Sequence, residues 1–407
     1  MKKLSVMHVG WGERFELGTL ADDGDDLLFE YSSDAMKRGL ELSPHRLPLS
    51  ERAYGGFPDH QLRLPGMISD ALPDGWGMML MDRLFRKQGR RSDQISPLDR
   101  LAFIGDHAMG ALAFEPAQSK SLTHEDVQLL ELARETREVL NDDSEKLLRK
   151  LVMMGGSPHG ARPKVLLNLD RANNRMTNWA GSVGIPVLVK FPAQNEPKEV
   201  CAIEAMYARI ASACGLQMPW TSYFDLDKEF SAFAIERFDR DCGMRVPMHT
   251  AAGAAHVDFR IPQLDYTNLL RLTRRMTNDE REVVHAYERC VFNVVFNNRD
   301  DHLKNFSFLM GKDGRWRFSP GYDLTFCEGP SGEHQMDICG EAREPTRKHL
   351  LELAKKGGVR EKTAVQSIER ITEVVGRFDE FTDDLPIRTD TFKKIKDAVH
   401  LNRKRLA

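Results

Sequence analysis

The sequence predicts an α+β chain in three regions: a mixed N-terminal subdomain over 1–115, a β-rich lobe over 116–238, and an all-helical lobe over 239–407. Three observations lead there. Short apolar runs separated by Gly- and Asp-rich turns fill roughly the first fifty residues. Strand-like apolar runs recur between 161 and 237 around a single strong helix. After about 241, the apolar spacing takes the helical period. A chain of 407 residues is long enough for two or three packed lobes.

Composition narrows the function classes. Hydrophobic residues are 41% and charged residues 29%, ordinary for a soluble globular protein. A net charge of −3 argues against a molecule that binds nucleic acid by bulk electrostatics, and the basic end Asn402-Arg403-Lys404-Arg405 reads as a solvated terminus. The six cysteines are scattered without a C-x-x-C pair, which argues against a zinc site or a disulfide framework and for reduced thiols in a cytoplasmic setting. No signal peptide and no apolar run of spanning length is present, so no membrane is implied.

In order, Leu4 to Val9, Phe15 to Leu20 and Leu27 to Tyr31 read as strands, and Ser32 to Leu40 as a short helix. Met78 to Arg86 has amphipathic spacing, and Ser96-Pro97 is a good helix start for the run to Ile104. Ala111 to Phe114 reads as a strand; Thr123 to Leu140 and Ser144 to Val152 read as helices, the first capped near Thr123 or His124. Gly155-Gly156-Ser157-Pro158-His159-Gly160 then interrupts the pattern. Glycines let backbone N–H groups approach a bound anion, although the stretch fits neither standard phosphate-loop motif and an ordinary turn is the alternative.

Ala161 to Asp170 is the next strand, followed by a polar hairpin over 171–178 and the strand Val187 to Pro192 with Lys190 amid apolar neighbours. That lysine either faces solvent on a sheet edge or reaches nucleotide phosphates. Lys198 to Cys214 is a helix, with Glu204 positioned to pair with Lys190. Ser222 to Leu226 and Phe230 to Arg237 form a strand pair, after which Phe238 either borders a bound ring or is plain core, with Arg237, Asp239 and Arg240 in surface ion pairs. Tyr266 to Met276, Asn278 to Asn297 (capped at Asn278), Glu344 to Lys356, Glu361 to Gly376 and Arg388 to Arg403 are helices, and Trp316 to Phe318 is a strand.

The chemistry concentrates in Asn297-Asn298-Arg299-Asp300-Asp301-His302-Leu303-Lys304-Asn305, a polar stretch between two apolar runs. Asp300 and Asn305 stand five positions apart, the spacing of the base and a metal ligand in the kinase pattern H-R-D-x-x-x-x-N. Asp323 follows eighteen residues later in Gly321-Tyr322-Asp323-Leu324. Asp301, beside Asp300, leaves the base open by one position, and the five-residue spacing favours Asp300.

The ordered set Ser157, Gly160-Ala161-Arg162-Pro163-Lys164, Lys190, Glu204, Glu236-Arg237-Phe238-Asp239-Arg240, Asp300 to Ser307 and Tyr322-Asp323-Leu324 resembles the HipA family of serine/threonine kinase toxins from type II toxin–antitoxin systems. The strings Ala71-Leu72-Pro73-Asp74-Gly75-Trp76-Gly77 and Phe103 to Leu112 resemble the N-terminal subdomain of its full-length members. The resemblance covers nearly the whole chain and implies a bilobal protein-kinase-like fold, with a phosphate loop at 155–164, a catalytic loop at 298–305 and a metal-binding segment at 320–325. It implies ATP and Mg²⁺ as cofactors, Asp300 as the base, Lys190 on the nucleotide phosphates, and Asn305 and Asp323 on the metal. Ser157, His159, Gly160, Glu236, Phe238, His302 and Tyr322 would border the nucleotide, and Ser157 would be autophosphorylated.

The resemblance further implies a HipB-like helix-turn-helix antitoxin as partner, operator DNA reached only through that antitoxin, and a translation component such as an aminoacyl-tRNA synthetase as substrate. Two other readings compete with it: a small-molecule kinase on the same fold, and a non-catalytic antitoxin-binding corepressor.

Overall fold

The computed structural model describes residues 1–118, 122–141, 144–173 and 175–407. Strands β1 (Lys3–His8), β2 (Phe15–Asp22), β3 (Leu27–Tyr31) and β4 (Leu112–Glu115) form an antiparallel sheet in the order β3-β2-β1-β4. Helices α1 (Ser33–Arg38), α2 (Gly66–Ser69), α3 (Gly75–Lys87) and α4 (Pro97–Ile104) lie between β3 and β4 in the chain. Ser96 caps α4 in a reciprocal capping box with Asp99, and Pro97 takes the first helical position, where its missing N–H costs nothing.

The second region is built on helices α5 (Leu129–Glu138) and α6 (Glu145–Gly155) and a five-stranded sheet. Its strands are β5 (Lys164–Asp170), β6 (Arg175–Thr177), β7 (Ile185–Lys190), β8 (Thr221–Asp225) and β9 (Ser231–Glu236), in the order β6-β5-β7-β9-β8. Helix α7 (Glu199–Ala213) packs on this sheet and is buried around most of its circumference. The helix expected from Thr123 starts only at Leu129. Residues 123–127 run extended instead, because Asp126 bridges Thr177 and the Val127 N–H bonds Met176 O, which adds this segment to the edge of β6. Asn174, in the expected polar hairpin, lies outside the described residues.

The C-terminal region is mainly helical rather than all-helical. A hairpin of β10 (Arg240–Asp241) and β11 (Met244–Arg245) opens it, and β12 (Met248–Thr250), β13 (Ser307–Met310) and β14 (Trp316–Phe318) form a three-stranded sheet. Of this sheet the sequence spacing showed only β14, predicted as Trp316 to Phe318, because the strands are three or four residues long. Helices α8 (Ala251–Ala255), α9 (Tyr266–Thr277), α10 (Glu280–Val295), α11 (Arg347–Gly357), α12 (Glu361–Glu373) and α13 (Thr389–Leu406) complete the lobe. Asn278 is not the cap of α10. It ends α9 in the left-handed conformation, φ +51°, and Asp279 caps α10. After Glu373 the chain tightens to a 3₁₀ helix over Val374–Thr382.

One apolar core runs through all three regions, from Phe29 and Phe114 through Phe233 to Phe296. The N-terminal region is fixed to the C-terminal one by Asp70. Its carboxylate accepts from His249 Nδ1 at 2.7 Å, from the Thr250 N–H at 2.8 Å and from Thr250 Oγ1 at 2.7 Å. All six cysteines are free, and among the described residues no helix is long and apolar enough to cross a membrane.

Candidate active site

A cavity of about 850 Å³ opens where the three regions meet. Its floor starts on paired strands: Lys164 of β5 stands opposite Lys190 of β7 in the antiparallel register. Two buried ammonium groups side by side need anionic partners. Lys190 finds both Glu204, from α7, and Asp323. The expected Lys190–Glu204 pair is therefore present. Burial alone would lower the Lys190 pKa, but Asp323 and Glu204 outweigh it and hold the ammonium above its ordinary value. Burial dominates at Lys164 and brings it down to about 8; its ammonium donates to His159 O.

The opposite wall is the loop after α10. Asp301 turns inward, fully buried, and accepts from Tyr266 OH at 2.7 Å, His334 Nδ1 at 2.7 Å and the Gln335 N–H at 2.8 Å. Asp300 points the other way into the cavity, half exposed, 3.7 Å from His302 Nε2. The two neighbours thus have opposite surroundings. Although half of its side chain still meets solvent, desolvation at the cavity wall and then the nearby Asp323 raise the Asp300 carboxyl above its ordinary range, against the pull of His302.

Asn305 commits its amide nitrogen to Asp300 O at 2.7 Å, which leaves its Oδ1 as the atom it offers the cavity. Asp323 sits at φ +52°, a left-handed conformation that aspartate tolerates better than most residues. Burial works against its charge, yet Lys190 and Lys164 bring its carboxyl down to about 2. Among the described residues no cluster of three His, Cys, Asp or Glu could hold a metal alone. Magnesium, however, is usually held by one or two carboxylates together with substrate phosphates, and the Asp323 carboxylate beside the Asn305 amide oxygen is a hard-oxygen pair of that kind.

Glu236, Phe238, His302 and Tyr322 line the same cavity, and the Phe238 and Tyr322 rings are 5.3 Å apart. Tyr322 OH is anchored by Lys304 O at 2.7 Å. The ion pairs beside Phe238 are not on the surface: Asp239 is fully buried between Arg237 and Arg240 and also accepts the Gly110 N–H at 2.8 Å.

The glycine-rich loop forms the remaining wall through His159 and Gly160, but Ser157 does not line the cavity. Its side chain is fully buried, and Oγ accepts the Met109 N–H at 2.7 Å. The backbone of the loop, not this hydroxyl, faces the cavity. Sequence reasoning gave no role in the site to Asp74, Arg162 or Glu196. Asp74 bonds the Gly160 N–H and Lys304, and Arg162 forms a two-bond pair with Glu196. The string around Asp74 stood out by resemblance, but nothing in its spacing linked it to a loop more than eighty residues later.

Residues 156–378 match the family described as HipA-like C-terminal domain, and residues 9–115 match the HipA N-terminal domain. A putative kinase of Haemophilus influenzae is 26% identical over 190 residues, 42% of this chain and 52% of that protein, so the match spans about half of that relative. A putative kinase of Sinorhizobium fredii is 24% identical over 413 residues, 92% of each chain. The serine/threonine-protein kinase toxin HipA of Shewanella oneidensis is 23% identical over 350 residues, 78% of this chain and 74% of that one. The solved complex of Shewanella oneidensis HipA, HipB and operator DNA matches with a TM-score of 0.75 at 18% identity, covering 99% of this chain and 97% of the other.

Proposed function

The chain belongs to the HipA family and has its kinase-like fold, and from that premise we propose that it is an ATP- and Mg²⁺-dependent protein serine/threonine kinase of the toxin type. The observation that carries this reading is that Lys190, Asp300, Asn305 and Asp323 line one cavity together with the glycine-rich loop. ATP supplies the transferred phosphoryl group, and Mg²⁺ neutralises charge on its oxygens. In this reading Lys190 contacts the phosphates, kept charged by the carboxylates around it. Asn305, through its amide oxygen, and Asp323 would hold the metal.

Asp300 takes the proton of the substrate hydroxyl on its carboxylate, a contribution of roughly 10² to 10⁴-fold. Electrostatic stabilisation is usually the larger share, so loss of Lys190 or Asp323 hurts at least as much as loss of Asp300. Asp301 is a poor base because three donors already occupy its oxygens. Glu236, Phe238, His302 and Tyr322 border the nucleotide, with His159 and Gly160 presenting the loop to its phosphates. Ser157 is the autophosphorylation site, which requires the loop to leave the buried position that Ser157 holds under the Met109 N–H.

The protein target is a translation component such as an aminoacyl-tRNA synthetase. The inhibitory partner is a HipB-like antitoxin, by analogy with the Shewanella complex, and operator DNA is reached through it. Incubation of the purified protein with γ-labelled ATP and Mg²⁺ tests the reading. Label on Ser157 in the wild type, absent from Asp300→Asn, is the expected result. Transfer only to sugars or drugs would move the assignment to a small-molecule kinase, and equal labelling of both proteins would remove Asp300 from the mechanism.

A further inference from the structure

Asp74 occupies the position at the start of α3 where an aspartate ordinarily caps its own helix. It makes no such bond. Its carboxylate leaves the helix and joins two loops that are otherwise far apart in sequence. Oδ1 accepts the Gly160 N–H of the glycine-rich loop, and Oδ2 accepts from Lys304 Nζ of the catalytic loop at 3.0 Å.

The rest of the segment grips the same loop. The Trp76 N–H donates to Gly160 O at 3.3 Å, so both backbone groups of Gly160 are held from the start of α3. The His159 ring bonds Leu72 O at 3.0 Å. Gly75 makes this approach possible: its φ is +44°, and a Cβ there would lie 2.6 Å from Gly160 O.

The Asp74–Lys304 pair is mostly shielded, with side-chain exposures of 24% and 14%. Beside that carboxylate, Lys304 has the ring of Phe259 at 4.6 Å. Burial alone would raise the Asp74 carboxyl, but His159, Lys304 and the Gly160 N–H together hold it well below its usual range. A charged group that gives up its own helix to span two loops at the edge of the cavity is placed to hold those loops in one arrangement.

We propose that Asp74 is a positioning residue through which the N-terminal region clamps the glycine-rich loop to the catalytic loop, and that it sets nucleotide affinity rather than the chemical step. The inference deepens the kinase reading and rests on it. The physical reason for the split is a population argument. If the loop is folded in only part of the time, apparent affinity falls by that fraction, while the complex that does form reacts as before.

The test uses full-length Asp74→Ala, Asp74→Asn and Lys304→Gln, each compared with the wild type. It measures hydrogen exchange over 155–164, calorimetric binding of ADP with Mg²⁺, and KM for ATP against kcat. Loss of a charge-assisted bond predicts a drop of roughly 10- to 100-fold in nucleotide affinity for Asp74→Ala. KM for ATP rises with it, exchange over 155–164 quickens, and kcat changes little. Asp74→Asn shows a smaller effect, since its amide oxygen still accepts the Gly160 N–H.

Wild-type exchange and wild-type affinity in Asp74→Ala would overturn the proposal, as would a fall in kcat with KM unchanged. Should Asp74→Ala fail to fold, Asp74→Asn and Lys304→Gln decide it by the same readings. Exchange is measured without nucleotide. A wild type that binds no nucleotide therefore sinks the kinase reading, while the exchange rates still decide whether the clamp exists.

Discussion

Asp300 and Asp301 show how adjacent identical residues acquire different work. One carboxylate borders the cavity near His302, and the other is sealed among Tyr266, His334 and the Gln335 N–H. Removing charge from a buried, fully bonded carboxylate leaves its donors unsatisfied. Asp301→Asn is therefore expected to cost about 2–4 kcal/mol of stability in denaturant titration. Asp300→Asn is expected to leave stability near wild type while slowing phosphoryl transfer by roughly 10² to 10⁴-fold; an Asp301→Asn that is stable and equally slow would reverse the two assignments. If Asp300 is the base, its carboxyl, raised by desolvation at the cavity wall and by Asp323, sets a pH limb. A base works deprotonated, so kcat/KM is expected to fall with acid through a pH above the ordinary aspartate value of about 3.9. A limb at or below that value would show that another group titrates.

At the scale of elements, the glycine-rich loop closes one wall of the cavity through His159 and Gly160. Ser157 is fully buried with its Oγ under the Met109 N–H, a slot with no room for a phosphate carrying about −1.5 to −2 charge. Ser157→Glu is expected to expel the loop, weaken nucleotide binding by at least tenfold and raise exchange over 155–164, whereas Ser157→Ala keeps the loop in. Equal nucleotide affinity in the two variants would contradict this. Much of this scale was legible in the sequence. Apolar spacing located α6, α7 and α9, and the Ser96-Pro97 start located α4; α6 and α9 bury a regular apolar stripe, while α7 is buried around most of its circumference. Local chemistry could not reveal that residues 123–127 pair with β6, since the partner strand is non-local. Asn278 misled for a related reason: asparagine caps either end of a helix, and here the left-handed geometry of the α9 terminus claimed it. Within the site, spacing joined Asp300 to Asn305 on one loop, but the contact of Asp74 with Gly160 and Lys304 exists only once the N-terminal region is docked.

For the whole molecule, that docking rests on Asp70 as well as on apolar contact. Its bonds to His249 and Thr250 lie at the joint, beside the close approach of Gly66 to Gly253. Burial opposes the Asp70 charge, but His249, helped by His159 and Lys304, more than compensates and lowers its pKa. The bond therefore contributes stability above the unfolded aspartate pKa and loses it as the pH falls through the lower folded value. Asp70→Ala is expected to cost about 2–4 kcal/mol in urea at neutral pH and to flatten the acid end of the stability curve. A variant as stable as wild type would place the strength of the joint in its apolar contacts alone. Phosphosite mass spectrometry of an ATP-treated cell lysate, incubated with wild type or with Asp300→Asn, shows whether the chain is a protein kinase whose base is Asp300. The wild type is expected to add a serine or threonine phosphosite to a cellular protein, and the variant none. Identical phosphosite patterns for the two proteins would contradict it.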